Sequence, residues 1–176
     1  MNSERKSFPT AGEIRRNLPA AGVILPEDET YMRRALTLAA EAGARDEVPV
    51  GALIVRDGEI LAAASNRREE TRCATHHAEI LAIEDACRVL GGWRLPGATL
   101  YVTMEPCVMC AGAVINARIA RVVYGTRDLR FGAMGSLLDV TACPLNHTPS
   151  VTGGVLEEEC RALLREYFRQ KREKEK

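Results

Sequence analysis

The chain has 176 residues, of which 46% are hydrophobic and 5% aromatic, and its 24 Lys plus Arg are matched by 24 Asp plus Glu. That length suits one domain burying about two-thirds of the surface its unfolded form exposes, and the balanced charge excludes a protein basic or acidic throughout. Charge and glycine break the apolar runs, so neither a membrane-spanning helix nor a signal peptide is expected, and the six cysteines read as reduced thiols of a cytoplasmic protein rather than a disulfide framework.

Residues 1–26 carry Pro9, Gly12, Pro19, Gly22 and Pro26 without a sustained apolar period, and are expected to form a loose N-terminal extension; Glu4 and Glu13 argue against a transit peptide. A single domain is expected over 27–176. Its first element is an amphipathic helix over Tyr31–Ala42, introduced by Glu27-Asp28 and closed by Gly43. Val50–Val55 and Glu59–Ala64 are strands joined by Asp57-Gly58, a dipeptide that favours a tight antiparallel hairpin. A helix from about His77 to Leu90 ends at Gly91-Gly92, a third strand covers Ala98–Thr103, and a further helix starts at Pro106. Arg121–Tyr124 is a fourth strand, Gly153–Val155 a short last one, and Glu157–Lys174 a long charged terminal helix. The order strand, helix, strand around residues 98–124 predicts a parallel segment beside the hairpin, hence an α/β protein of three layers, α/β/α, on a central mixed sheet of about five strands.

The chemistry is carried by His77-Ala78-Glu79 and, further on, Pro106-Cys107-Val108-Met109-Cys110. One imidazole and two thiolates give a zinc ion three protein ligands, one fewer than closes a structural site. The fourth position is left for a water whose pKa falls towards neutrality. Glu79, beside that water, can carry its proton to a substrate, which a fourth ligand could not do. Cys107 and Cys110, at i and i+3, share a helix face, and a helix N-terminus favours the thiolate that zinc requires. His77 and Glu79, at i and i+2, cannot both sit mid-helix and are placed at a helix start. Cys-x-x-Cys by itself also suits a redox pair, and a zinc that only held the fold would leave Glu79 without a task; together the two motifs match the signature of zinc nucleobase deaminases. Cys73, Cys87, Cys143 and Cys160 are assigned no function, and His76 and His147 lack the ligand register.

Asn66-Arg67, His77-Ala78-Glu79, the run Leu100–Ala113, the run Ala117–Gly125 and Gly132-Ala133-Met134-Gly135-Ser136 closely resemble the bacterial tRNA adenosine deaminases of the cytidine deaminase-like superfamily, over about Tyr31 to Arg172. The resemblance implies a cytidine deaminase-like fold, one zinc per subunit on His77, Cys107 and Cys110, and conversion of adenosine to inosine at the wobble position of a tRNA anticodon, chiefly that of an arginine tRNA. Zinc-activated water would attack C6 while Glu79 moves its proton to N1 and assists ammonia departure. By the same resemblance Asn66 bonds the flipped nucleoside, and Val48 and Met104 line the base pocket. The N–H groups of Ala78 and Cys107 orient polar atoms, Asp128 and Arg130 contact nucleotides around the target, and the protein is a homodimer. Val114, Ile115 and Ile119 suit such an interface or the monomer core equally well.

An anticodon loop already splays its bases, which lowers the cost of extracting one. In the terminal helix Arg161, Arg165, Arg169, Lys171, Arg172, Lys174 and Lys176 outnumber Glu166, Glu173 and Glu175, with Tyr167 and Phe168 among them. That combination joins phosphate affinity to a stacking surface; it also suits a solvated helix, and the resemblance turns the reading towards RNA. The chain departs from the family at Cys73-Ala74-Thr75-His76, where relatives carry a proline-threonine step, and at Arg68, where a proline is common. Two other functions use the same motifs: a zinc deaminase of a free base or nucleotide, such as guanine or deoxycytidylate, and a non-catalytic RNA-binding relative.

Overall fold

The structure, a computed structural model, describes residues 22–174, so most of the expected extension, Glu175 and Lys176 lie outside the described residues. The elements are helix α1 (Asp28–Ala44), strands β1 (Gly51–Arg56) and β2 (Glu59–Ser65), the one-turn helix α2 (Arg68–Thr71), α3 (Ala78–Leu90), β3 (Thr99–Met104), α4 (Val108–Asn116), β4 (Arg121–Thr126), a 3-10 turn (Val140–Ala142), β5 (Ser150–Gly153) and α5 (Glu157–Lys174). The strands make one sheet in the order β2-β1-β3-β4-β5. β1 is antiparallel to β2 and β3, while β3, β4 and β5 run parallel; of these pairings, the β1–β2 hairpin and the parallel β3–β4 pair are the ones the sequence patterns predict. Asp57 and Gly58 take φ of 53° and 79°, the left-handed pair that a two-residue hairpin turn demands.

Successive strand residues serve opposite faces, and both faces are covered. Leu53, Val55, Tyr101 and Val123 pack with Met32 and Ala35 of α1 and Cys160 of α5. Their neighbours Ala52, Ile54, Leu100, Val102, Val122 and Tyr124 pack with Ala82, Ile83 and Ala86 of α3 and Ala111 and Val114 of α4. Each such large side chain contributes about 1.5–3 kcal/mol of burial, which makes the sheet the rigid base of the molecule. Val114, Ile115 and Ile119 are all buried within this chain, which settles them as monomer core.

On the α1 face a polar cluster fastens helix to sheet. Asp28 in the first turn of α1 accepts from Arg121 Nη1 at 2.6 Å and Nη2 at 2.8 Å, from Tyr101 OH at 2.9 Å and from Leu25 N–H at 2.7 Å. Burial by itself would raise the Asp28 carboxyl; the bonds from Arg121 and Leu25 outweigh it and hold the group below its ordinary value. Arg121 Nη2 also donates to Val23 O, and Gly22 N–H donates to Val151 O, so residues 22–25 are bonded to β4 and β5.

Several boundaries differ from expectation. α1 continues through Gly43 and closes at Asp46, whose φ is 69°; Asp46 N–H bonds Gly43 O and Glu47 N–H bonds Ala42 O. This is a Schellman closure with aspartate in the position glycine usually takes, so the closing residue carried no glycine to mark it. Pro106 lies before Cys107, the N-cap of α4, rather than in the first helical position. β5 lies at Ser150–Gly153, where pairing with β4 decides its register, not at Gly153–Val155. No helix among the described residues is long and apolar enough to cross a membrane.

Candidate active site

Two helix starts meet at the carboxyl end of β3. His77 is the N-cap of α3 and Cys107 the N-cap of α4, both with extended backbone. His77 Nδ1 lies 3.8 Å from Cys107 Sγ and 3.6 Å from Cys110 Sγ, and the donor atoms of all three residues lie within 4.8 Å of one another. A tetrahedral zinc with bonds of about 2.3 Å to sulfur and about 2.1 Å to nitrogen separates S and N by about 3.6 Å. The group can therefore hold a metal ion with its side chains where they stand, and it is the one cluster of such donors found among the described residues. Two helix N-termini add positive potential that favours thiolate. The Cys107 thiol is drawn down to about 4, chiefly by the hydrogen bond from Cys110, while burial opposes the shift and His77 supports it. Cys110, the donor in that contact, is pushed up. The two thiols are thus driven in opposite directions by their mutual contact, and metal binding to such a pair is favoured by deprotonation.

Glu79, in the first turn of α3, is 4% exposed, and burial pushes its carboxyl above the ordinary range. A carboxyl with raised proton affinity beside metal-binding donors is suited to carry protons rather than to act as a ligand. A cavity of about 440 Å³ opens on His77, Glu79 and Cys107. Val48, Asn66, Met104, Asp128 and Phe168, all singled out in the sequence, line it. Ala78 is buried in the first turn of α3, where amide N–H groups lack helical partners. Arg130 is exposed and outside the lining, with its N–H on Asp128 Oδ1 at 2.9 Å. Phe131 N–H bonds the same oxygen at 3.2 Å, so the Asp128 carboxylate closes its own loop.

Sequence reasoning missed Val50, Arg68, Ala74, Glu105 and Phe131, which line the same cavity. Glu105 had a signal: it is a charged residue between the apolar strand β3 and the Pro-Cys step. Its buried carboxylate accepts from the N–H groups of Asp128 at 3.2 Å and of Met134 and Ser136, both at 3.0 Å, folding the loop after β4 against the cavity. A Cβ at Gly132 would lie 2.6 Å from that carboxylate and 2.4 Å from Asp128 O, so only glycine fits there. Phe131 is 67% exposed and offered no pattern.

α5 reaches the cavity through Phe168. Tyr167 OH donates to Asp46 O at 2.9 Å and Lys171 Nζ pairs with Asp46 at 2.6 Å, which fastens the helix beside the end of α1. Its charge is partly spent within the helix: Arg161 pairs with Glu157 and Glu158, and Arg169 with Glu166 and Glu173. The basic surface is therefore smaller than the residue count suggested. His76 and His147 are engaged elsewhere, by Thr71 Oγ1 at 2.8 Å and Ile119 O at 2.6 Å.

The chain matches the MafB19-like deaminase family over residues 26–172. It is 48% identical over 153 residues to a tRNA-specific adenosine deaminase of Bacillus subtilis, covering 86% of this chain and 95% of that one. To a tRNA-specific adenosine deaminase of Agrobacterium fabrum it is 47% identical, covering 84% and 98%. Among solved structures, one from work on A-to-I editing by tRNA:A34 deaminases at the wobble position superposes with a TM-score of 0.75 at 47% identity, covering 77% of this chain and 99% of that one. A guanine deaminase from Nitrosomonas europaea gives 0.66 at 30% identity, covering 95% and 97%. The chain therefore belongs to the MafB19-like deaminases and to the family of the bacterial tRNA-specific adenosine deaminases.

Proposed function

We propose that this protein is a zinc-dependent tRNA deaminase that converts adenosine to inosine at the wobble position of an anticodon, consuming water and releasing ammonia. The observation that carries the proposal is the meeting of three metal-binding donors and a buried carboxyl at one cavity, in a chain 48% identical to a tRNA-specific adenosine deaminase. His77, Cys107 and Cys110 hold one zinc ion, and the donor separations support that assignment. Zinc in such a set supplies an activated water as the nucleophile.

Glu79 accepts the proton of that water on its carboxylate and delivers it to N1 of the purine ring. It then assists protonation of the departing amine at C6. Burial favours its protonated form between these steps, so the proton is held beside the ring rather than lost to solvent. Val48, Val50 and Met104 give the ring an apolar slot, and Asn66 hydrogen-bonds the nucleoside. The N–H groups of Ala78 and Cys107, at two helix starts, orient polar atoms of the substrate. Asp128 and Arg130 present the loop after β4 to flanking nucleotides, with Phe131 and Phe168 as stacking faces.

The proposal extends to an arginine tRNA as substrate and to the cytoplasm, where six unpaired cysteines are at home. It also extends to a homodimer, supported by the exposed Leu129, Leu137, Leu138 and Leu145 of the loop after β4. The test incubates zinc-loaded protein with an anticodon stem-loop bearing adenosine at the wobble position, and in parallel with guanine and deoxycytidylate. Inosine in the stem-loop is expected. Ammonia from guanine with the stem-loop unaltered would replace the proposal with a free-base deaminase, and binding without turnover of any substrate would make the protein a non-catalytic RNA binder.

A further inference from the structure

We infer that Glu47 is a positioning residue for substrate recognition: its buried carboxylate turns the Asn66 side chain so that the amide oxygen, not the amide nitrogen, is offered to the cavity. This rests on reading the cavity as the nucleoside site. The backbone of Glu47 is fixed first, because its N–H closes α1 on Ala42 O at 3.1 Å. Its side chain is fully buried and makes two contacts, accepting from Glu70 N–H at 2.8 Å on Oε1 and from Asn66 Nδ2 at 3.3 Å on Oε2.

Asn66 is held from the other side, its own N–H on Val50 O at 3.0 Å. A carboxylate accepts and cannot donate, so the amide must present its NH2 to Glu47. The oxygen is then the end left for the cavity that Asn66 lines. A wall that accepts selects a ligand group that donates, such as a sugar hydroxyl, and disfavours a group that can only accept, since two facing acceptors lose the bond and keep the desolvation cost. A purely structural role for Glu47 accounts for its bond to Glu70 N–H, which helps start α2. It does not account for the bond to Asn66, whose loss would leave α2 intact.

Glu47→Gln preserves volume and can still accept from Glu70 N–H, but its amide then faces Asn66 with a donor. Asn66 is expected to turn over, and the cavity wall reverses polarity without changing shape. In the zinc-loaded protein, the side-chain amide resonance of Asn66, identified by its disappearance in Asn66→Ala, is expected to move in E47Q. KM for the anticodon stem-loop should rise on the order of tenfold with kcat within about twofold, because the lost interaction serves ground and transition states alike. E47Q in the N66A background should cost nothing further, since both changes remove one contact. Asn66→Asp, which sets a second carboxyl group against Glu47 in place of the amide donor, tests the same contact from its other end and should raise KM similarly, should E47Q fold poorly. An unmoved Asn66 resonance, or losses that add in the double variant, would overturn the inference. If the protein turns over guanine instead, the same cycle on guanine decides the role of Glu47, while the stem-loop result alone decides the tRNA reading. Should there be no turnover, the resonance still decides.

Discussion

Glu79 and Glu105 are both buried beside the cavity, yet their surroundings give them different work. Glu105 meets three backbone N–H groups, which occupy its oxygens and make it the anchor of the loop after β4. Glu79 is governed by desolvation, which raises its proton affinity and leaves it free to exchange a proton. Glu79→Gln keeps the size of the side chain and removes that capacity. Turnover is expected to fall by about 10²–10⁴-fold, the usual worth of a general acid–base group, with zinc retained at one ion per chain because the three donors are untouched. Single-turnover assay with metal analysis of the same sample checks this. Activity near that of the unaltered protein would place the proton carrier on another residue, whereas loss of zinc together with activity would make Glu79 part of the metal-holding set.

At the scale of elements, α1 is joined to β3 and β4 by the cluster of Asp28, Tyr101 and Arg121, and this contact sets a pH dependence. The folded Asp28 carboxyl lies below its ordinary value of 3.8, so the unfolded chain takes up this proton first as pH falls. The stability contributed by the pair is thus fully present above that value and is lost as pH drops through the lower, folded one. Asp28→Asn leaves Arg121 buried without its counter-charge, at a cost of about 3–5 kcal/mol at neutral pH. It should also flatten the acid limb of stability, read by urea unfolding between neutral and strongly acidic pH. Acid limbs of equal slope in the two proteins would assign the dependence to other carboxyls. Elements of this kind were legible in the sequence to different degrees, for physical reasons. The hairpin was readable because Asp57-Gly58 needs no distant partner to set its turn, and the end of α3 because Gly91 takes the left-handed conformation, φ 65°, that glycine favours. The end of α1 was not, since aspartate stands where glycine usually does, and β5 was displaced because only pairing with β4 fixes its register. The contacts of Asp28 were hidden because its partners lie 73 and 93 residues away.

For the molecule as a whole, the same distinction separates the metal-binding donors from the cavity walls. His77, Cys107 and Cys110 stood out because metal chemistry demands particular atoms at short local spacings, and the helices they start converge on one sheet end. Arg68, in the one-turn helix α2, and Phe131, in the loop after β4, reach the cavity only through the path the chain takes between the larger elements, which no local pattern encodes. Most of the core stands apart from the metal-binding donors: its two apolar clusters lie on either face of the sheet and are built largely from strand and helix residues, with Leu95, Ile119, Ala133 and Met134 added from loops. A metal bridging the starts of α3 and α4 should therefore stabilise a fold that exists without it. Binding to the folded state at a hundredfold excess over Kd adds about 2.7 kcal/mol. For a domain of this size each kcal/mol moves Tm by about 2–4 °C, so removing the ion should lower Tm by about 5–10 °C. Far-ultraviolet circular dichroism should stay close to that of the metal-loaded protein, and one cooperative transition should remain, restored to its original midpoint when zinc is returned. Chelation that collapsed the helical signal at room temperature would show instead that the ion builds the fold, and an open ligand position for catalysis would lose its main physical support.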